Sequence, residues 1–181
     1  MADKTYTLHV AGLTRVLPLC PVNDKLDIAA FVMFSDVELT IACAEKLLEL
    51  VPEHDIIITA ESKGIPLAYE MSRQSGKPYI LARKSKKLYM RNAVEVDVKS
   101  ITTTNVQKLY LDIDHMAMLK GKRVLIVDDV ISTGESLAAL ENLVTAGEGE
   151  IVAKATVLAE GDAANRTDIL YLEKLPLFFK D

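Results

Sequence analysis

The chain has 181 residues, 50% of them hydrophobic, and this length favours one compact domain with a sizeable buried core. Its formal net charge of −5 lacks the basic footprint of a general nucleic-acid binder, so no nucleic-acid partner is predicted. Cys20 and Cys43 are neither in CxxC spacing nor beside a histidine cluster, which favours buried free thiols over a metal or redox site. No apolar run has the length of a signal-peptide core or a membrane span, and a cytoplasmic protein without a membrane partner is expected.

The first predicted helix covers residues 35–50. Ser35 and Glu38 have the spacing of a capping box, and apolar side chains then recur on one face as far as Leu50. Residues 55–60, DIIITA, form a short β-branched run between polar residues, which predicts a strand buried on both faces.

A second helix is predicted over residues 65–76, because Pro66 lies in its first turn and Gly76 at its end. The next strand is predicted at residues 78–82, PYILA. Together with the preceding strand, these elements form a βαβ unit, in which the two strands are parallel.

The second half of the chain repeats this alternation, with strands at 123–129 and 150–160 and a helix at 134–147. It predicts the α/β class, with a doubly wound, mostly parallel sheet that carries helices on both faces. Residues 94–114 read as two alternating strands, and a flexible β lid is predicted over 92–111. No repeat or linker marks a second domain, so 1–181 is expected to be a single domain.

In open α/β sheets, ligands bind beyond the carboxyl ends of the strands, where three polar loops are predicted. They are ESKGI (61–65), RKSKK (83–87) and DDVISTGES (128–136). The last leads into a helix, whose free backbone N–H groups and positive dipole end would bind one phosphate, although its hydroxyl side chains would equally cap the helix. Asp128 and Asp129 would bind Mg²⁺ or accept hydrogen bonds from a ribose diol, or are two solvated acids at a strand end.

The stretch VLIVDDVISTGES (124–136) resembles the phosphoribosyl-pyrophosphate (PRPP) motif of type I phosphoribosyltransferases. The chain contains neither a Walker A sequence nor GxGxxG, which are the commonest other phosphate loops. The resemblance implies that the ribose and 5-phosphate of PRPP are bound by Asp128, Asp129, Val130, Ile131, Ser132, Thr133, Gly134, Glu135 and Ser136.

The other two loops are similar to the pyrophosphate-binding segments of adenine phosphoribosyltransferases. The resemblance implies a pyrophosphate site made by Glu61, Ser62, Lys63, Gly64, Arg83, Lys84 and Lys87. It also implies a cis Ser62–Lys63 peptide and catalytic roles for Lys84, Lys87, Asp128 and Asp129. Of these, Lys84 and Lys87 would neutralise the departing pyrophosphate together with Mg²⁺. Taken alone, ESKG is also compatible with an ordinary turn and RKSKK with a solvated charge run.

The function implied by the resemblance is purine salvage, in which adenine and PRPP give AMP and pyrophosphate. The expected cofactor is Mg²⁺, carried mainly by PRPP without a dedicated protein ligand, and the expected assembly is a homodimer. Residues 1–34 would form a small hood over the base, with Ile28 and Phe31 as candidate base contacts, although a core role for Phe31 is the commoner alternative. Asn105 lies near the place of the lid glutamate of adenine phosphoribosyltransferases, and an amide is no general base.

Two alternatives remain open. One is a phosphoribosyltransferase for hypoxanthine, guanine or xanthine, because the hood carries no readable specificity code. The other is a regulatory protein that binds PRPP as an effector on the same fold. Such regulators usually carry an appended DNA-binding module, for which the chain shows no basic face.

Overall fold

The structure is a computed structural model that describes residues 4–90, 92–98 and 107–180. Its elements in chain order are β1 (Thr5–Val10), β2 (Leu13–Asn23), β3 (Leu26–Ala29), α1 (Val37–Leu50), β4 (Ile56–Ala60), α2 (Ile65–Ser75), β5 (Tyr79–Ala82), β6 (Val94–Val98), β7 (Gln107–Leu111), α3 (Ile113–Leu119), β8 (Arg123–Ile131), α4 (Glu135–Ala146), β9 (Glu150–Glu160), β10 (Leu170–Leu175) and β11 (Leu177–Phe179). A short 3₁₀ helix, Gly161–Asn165, follows β9.

The central sheet has five parallel strands in the order β10-β9-β8-β4-β5. Because successive side chains of a strand point to opposite faces, the sheet has an apolar layer on each side. Ile57, Leu125 and Val127 pack on one side in a cluster that includes side chains of α1 and α2. Ile58 and Ile126 pack on the other side in a cluster with α4. The predicted doubly wound α/β fold is therefore confirmed.

The start of α1 differs from the capping box predicted at Ser35. Asp36 is the N-cap, and its Oδ1 accepts a hydrogen bond of 3.1 Å from the Leu39 backbone N–H. Ser35 lies outside the helix with φ 68°. Arg15 of β2 pairs with Asp36 at 2.6 Å and with Glu38 at 2.7 Å. Aspartate caps a helix as well as serine does, and here it also gains an arginine that is distant in the sequence.

The hood is a four-stranded antiparallel sheet in the order β1-β2-β3-β11. Its last strand comes from the C-terminal end of the described chain, so the hood is not built from residues 1–34 alone. Cys20 lies on β2 and is exposed, whereas Cys43 of α1 is fully buried. The prediction of a buried thiol is thus right for Cys43 and wrong for Cys20, because β2 turns that side chain away from the core.

The two strands predicted between the βαβ units are present as the antiparallel pair β6 and β7. Residues 99–106, which include Asn105 and part of the predicted lid, lie outside the described residues. Helix α3 was not predicted; Asp112 caps it by accepting from the Asp114 backbone N–H at 3.1 Å. Within the part of the chain that the structure describes, no helix is long and apolar enough to cross a membrane.

Candidate active site

The three polar loops meet at the carboxyl edge of the central sheet. Strands β8, β4 and β5 are parallel neighbours, so the loops that follow them are adjacent as well. The loop 61–64 lies between the other two and contacts both, through Lys63 to β8 and through Glu61 to the residues after β5. The sequence places each loop at a strand end, and the strand order brings the three together.

The acidic pair lies within β8, which continues to Ile131. Asp129 is 3% exposed, and its Oδ2 is buried without a hydrogen bond from any described residue. Lys63 Nζ, 3.6 Å from that oxygen, is its cationic neighbour. Asp128 is partly buried, and its Oδ1 accepts a hydrogen bond of 2.9 Å from the Asp129 backbone N–H. A buried carboxylate oxygen with no donor fits a ligand that supplies one, such as a hydroxyl of a ribose diol or a water bound to Mg²⁺.

The charge state of the pair depends on its surroundings. Burial raises the pKa of Asp128 above the ordinary range of an aspartate, and the neighbouring Asp129 carboxylate raises it further. The Asp129 backbone N–H and Lys63 oppose this shift of the Asp128 pKa. A bound cation or a pair of donors would relieve the repulsion between the two carboxylates.

The loop 61–64 packs tightly against β8 and β4. A Cβ atom at Gly64 would lie 2.5 Å from Thr59 Oγ1 and 2.9 Å from Asp128 Oδ1, so only glycine fits there. The cis peptide lies between Glu61 and Ser62, one bond earlier than the predicted Ser62–Lys63 bond. With no proline in the loop, the sequence carries no signal that fixes which bond is cis.

Glu61 faces the basic loop rather than an open anion site. Its Oε1 lies 3.1 Å from Arg83 Nη1 and 3.9 Å from Lys87 Nζ. Its Oε2 accepts a hydrogen bond of 3.0 Å from the Lys84 backbone N–H. A carboxylate accepts hydrogen bonds but donates none, so the structure favours a positioning role for Glu61 over direct contact with pyrophosphate.

The loop predicted to bind phosphate, called the phosphate loop below, follows β8 directly. Val130 and Ile131 still belong to the strand, and the loop proper is Ser132, Thr133 and Gly134. Gly134 is the N-cap of α4 with φ 81° and no side-chain cap, so neither hydroxyl caps the helix. A cavity of about 120 Å³ is lined by Asp128 and by residues 130–137, and Ser136 is part of that lining. The free N–H groups of the first turn of α4 begin at this cavity.

An arginine that the sequence did not indicate approaches the same loop. A Cβ atom at Gly134 would lie 2.6 Å from Nη1 of Arg166, which follows the 3₁₀ helix after β9. Lone arginines in polar loops are common, and the spacing of 32 positions to Gly134 gives no pattern, so only the strand order reveals this contact.

The two candidate base contacts lie in different surroundings. Phe31 is 3% exposed and belongs to the core cluster beside α1, so its ring face is not open for stacking. Ile28 lies on β3 of the hood and is partly buried. In the strand register it is paired with Cys20 of β2 on one side and with Leu177 of β11 on the other. The Leu177 side chain lies against Gly161 at the end of β9, which brings this face of the hood to the carboxyl edge of the sheet.

The described residues offer no preformed metal site built from side chains. Across residues 4–90, 92–98 and 107–180, no group of three or more His, Cys, Asp and Glu side chains forms a metal cage. His9 and His54 bond to Thr14 and to the Pro52 carbonyl, both outside the three loops.

Comparison with known families agrees with this geometry. Residues 38–174 match the model of the phosphoribosyl transferase domain. The chain belongs to this family. The match includes all three loops of this phosphoribosyltransferase-family chain and leaves out most of its hood. The family comparison therefore says least about the hood.

Named relatives differ from structural neighbours in the base that their names give. A hypoxanthine/guanine phosphoribosyltransferase of Methanocella arvoryzae is 34% identical over 142 residues, which are 78% of this chain and 68% of the relative. A xanthine phosphoribosyltransferase of Exiguobacterium sp. is 32% identical over 64% of this chain and 60% of its own length. The adenine phosphoribosyltransferase of Thermoanaerobacter pseudethanolicus has a TM-score of 0.73 over 87% of this chain and 95% of that one, at 20% identity. That last likeness shows the type I phosphoribosyltransferase fold alone.

Proposed function

We propose that the protein is a purine phosphoribosyltransferase, which transfers the phosphoribosyl group of PRPP to a purine nitrogen and releases pyrophosphate. The observation that carries the proposal is the meeting of the three loops at one sheet edge, with Lys63 of the middle loop against Asp129 and Glu61 against Arg83. Residues 61–87 and 128–136 thereby bring an acidic pair, a helix N-terminus and a basic segment together at one sheet edge. PRPP presents a diol, a monophosphate and a pyrophosphate, and the three features match these groups.

The proposed roles follow from donors and acceptors. Asp128 and Asp129 accept hydrogen bonds from the ribose hydroxyls, and the backbone N–H groups at the start of α4 bind the 5-phosphate. The proposed role of Lys84 and Lys87 is to neutralise charge that grows on the departing pyrophosphate as the bond to C1 breaks. Mg²⁺, when bound through PRPP, adds positive charge to the same leaving group. No covalent nucleophile is required, because the protein binds and orients both substrates.

Adenine is the base that the loop resemblance favours. A 6-oxopurine is the second candidate, because the named relatives at 32–34% identity are hypoxanthine/guanine and xanthine phosphoribosyltransferases. The two classes present opposite groups at position 6, a donor in adenine and an acceptor in the oxopurines, so one pocket seldom serves both equally. Ile28 is the proposed apolar contact of either base, through the hood face that it shares with Leu177.

The test is a base panel. The protein is incubated with Mg²⁺, PRPP and, in turn, adenine, hypoxanthine, guanine, xanthine and orotate, and nucleotide and pyrophosphate are assayed. We expect turnover with one purine class and none with orotate. Tight PRPP binding without turnover on any base would instead support the regulatory alternative.

Assembly and location stay predictions from the sequence. A homodimer would appear in light scattering after size-exclusion chromatography as a particle of twice the chain mass of 19.9 kDa. A monomer at assay concentrations would contradict it.

A cytoplasmic location fits an enzyme that uses PRPP, and fractionation of the source cells tests it.

A further inference from the structure

Arg166 lies over the phosphate loop, although no motif of the sequence includes it. Its Nη1 is 2.6 Å from the position that a Cβ of Gly134 would occupy, so the guanidinium touches the backbone at the loop's last residue. Gly134 has φ 81° and is the N-cap of α4. The absence of a side chain at position 134 thus leaves the space that the guanidinium uses.

The guanidinium is held in place by two of its three nitrogen atoms. Nε and Nη2 donate to the two carboxylate oxygens of Asp168 at 2.9 and 2.7 Å. Asp168 is fixed in turn by Lys154 at 2.5 Å, and Lys154 also binds Glu141 of α4 at 2.6 Å. These four side chains carry two positive and two negative charges, so the set is neutral. An arginine bound in this bidentate way has little rotational freedom left.

The third nitrogen is the one that faces the loop. Nη1 has no hydrogen bond to any described residue, and the Arg166 side chain is 32% exposed. It also lies at the N-terminus of α4, where the partial charge of the helix is positive and repels a cation. An anion between the guanidinium and the free N–H groups of the helix would convert this repulsion into two favourable contacts.

We propose that Arg166 is a further phosphate-binding residue, whose Nη1 donates a hydrogen bond to an oxygen of the monophosphate bound by the phosphate loop and the first turn of α4. Asp168 is its positioning residue, because it fixes the guanidinium with Nη1 directed at the loop. The inference rests on the proposed function, since the monophosphate is the 5-phosphate of PRPP. It predicts that the site recognises a phosphate dianion more strongly than its backbone donors alone would.

Calorimetric titration with two ligands tests the proposal. Ribose 5-phosphate reports on the phosphate loop, and pyrophosphate with Mg²⁺ reports on the loops at 61–64 and 83–87. The variants are Arg166→Gln and Arg166→Lys. The matched control is Arg123→Gln, because Arg123 has the same kind of pair with Asp55, at 2.9 Å, at the opposite edge of the sheet.

In Arg166→Gln we expect a loss of about tenfold to a hundredfold in affinity for ribose 5-phosphate, the usual cost of one charge-assisted hydrogen bond, with unchanged pyrophosphate affinity. Arg166→Lys should fall between, since it keeps the charge and loses the fork, and it carries the test if the glutamine variant does not fold. Arg123→Gln should bind both ligands as the parent does.

Two results would overturn the inference: ribose 5-phosphate affinity that is the same in Arg166→Gln as in the parent, or an equal loss for both ligands. If the parent protein binds neither ribose 5-phosphate nor PRPP, the proposed function fails along with it. A parent that binds both while the Arg166 variants are unaffected leaves the proposed function intact and removes only the role of Arg166.

Discussion

Lys63 Nζ lies 3.6 Å from Asp129 Oδ2, and this pair joins the loop after β4 to the acidic strand β8. The two side chains differ in burial, because 51% of the Lys63 side-chain surface is exposed and only 4% of that of Asp129. A buried carboxylate is costly without a cation, so Lys63 stabilises the acidic pair while no ligand is bound. The ammonium also stands at the boundary between the proposed ribose and pyrophosphate sites, and PRPP would have to share or displace it.

The acidic pair should make the protein less stable as the pH rises. The folded-state pKa of Asp128 is raised, so its contribution to stability is fully present below about pH 4, the unfolded pKa, and is lost as the pH rises toward the folded value. Asp128→Asn keeps the acceptor for the Asp129 N–H and removes the charge. We expect this variant to gain about 1 kcal/mol or more in free energy of unfolding at pH 8 and to match the parent near pH 4.

Urea denaturation at both pH values measures this gain, and PRPP titration should show binding weakened at least about tenfold. Asp55→Asn is the opposite control. The Arg123 guanidinium holds the pKa of Asp55 below its usual range, so that variant should lose stability at pH 8 and none at strongly acid pH. Equal free energies of unfolding for Asp128→Asn and the parent at pH 8 would contradict the repulsion assigned to the two carboxylates.

Gly64 should be intolerant of any side chain. Gly64→Ala places a Cβ 2.5 Å from Thr59 Oγ1 and 3.3 Å from the Asp128 Cα, so strands β4 and β8 or the loop must shift. We expect a loss of about 1–3 kcal/mol in stability, the usual cost of overpacking, together with weaker pyrophosphate binding. Gly76→Ala is the control, because its Cβ would meet open space and only φ 69° opposes it. Comparable melting temperatures in the two variants would show that the loop yields easily.

The basic segment should discriminate between pyrophosphate and monophosphate. Lys84→Ala removes a cation from the pyrophosphate loops without touching the residues that line the phosphate cavity. We expect its affinity for Mg²⁺–pyrophosphate to fall by about tenfold and its affinity for ribose 5-phosphate to stay unchanged. Lys86→Ala, in the same segment and likewise exposed, should leave both affinities unchanged. Equal losses for the two ligands would argue against the role assigned to Lys84.

The cap of α1 can be tested independently of any ligand. Asp36→Ala loses both the hydrogen bond to the Leu39 N–H and the pair with Arg15, and we expect a cost of about 1–2 kcal/mol. Asp36→Asn keeps the cap and should cost less, and Ser35→Ala should be neutral. Arg15 lowers the pKa of Asp36, so this contribution is present above about pH 4 and is lost as the pH falls below it. A larger effect of Ser35→Ala than of Asp36→Ala in thermal melts would restore the predicted capping box.

Short sequence patterns predicted much of the fold. The β-branched run at 55–60 became β4, and Pro66 with Gly76 bounded α2 as expected. These predictions succeed because side-chain periodicity and backbone preferences act over a few neighbouring residues. Helix α3 was missed, since its seven residues are too short to show a face and its N-cap, Asp112, read as part of a strand.

By itself, the sequence determined which loops carry anion-binding and acidic side chains, because glycine, hydroxyl and charged residues at strand ends state their chemistry locally. The tertiary structure decided which of them meet. It placed Lys63 on Asp129, Glu61 on Arg83, and Arg166 on Gly134. It also brought β11 into the hood and Phe31 into the core. Contacts of this kind depend on strand order and on the burial of whole faces, which are properties of the assembled sheet and leave no signal in a short stretch of sequence.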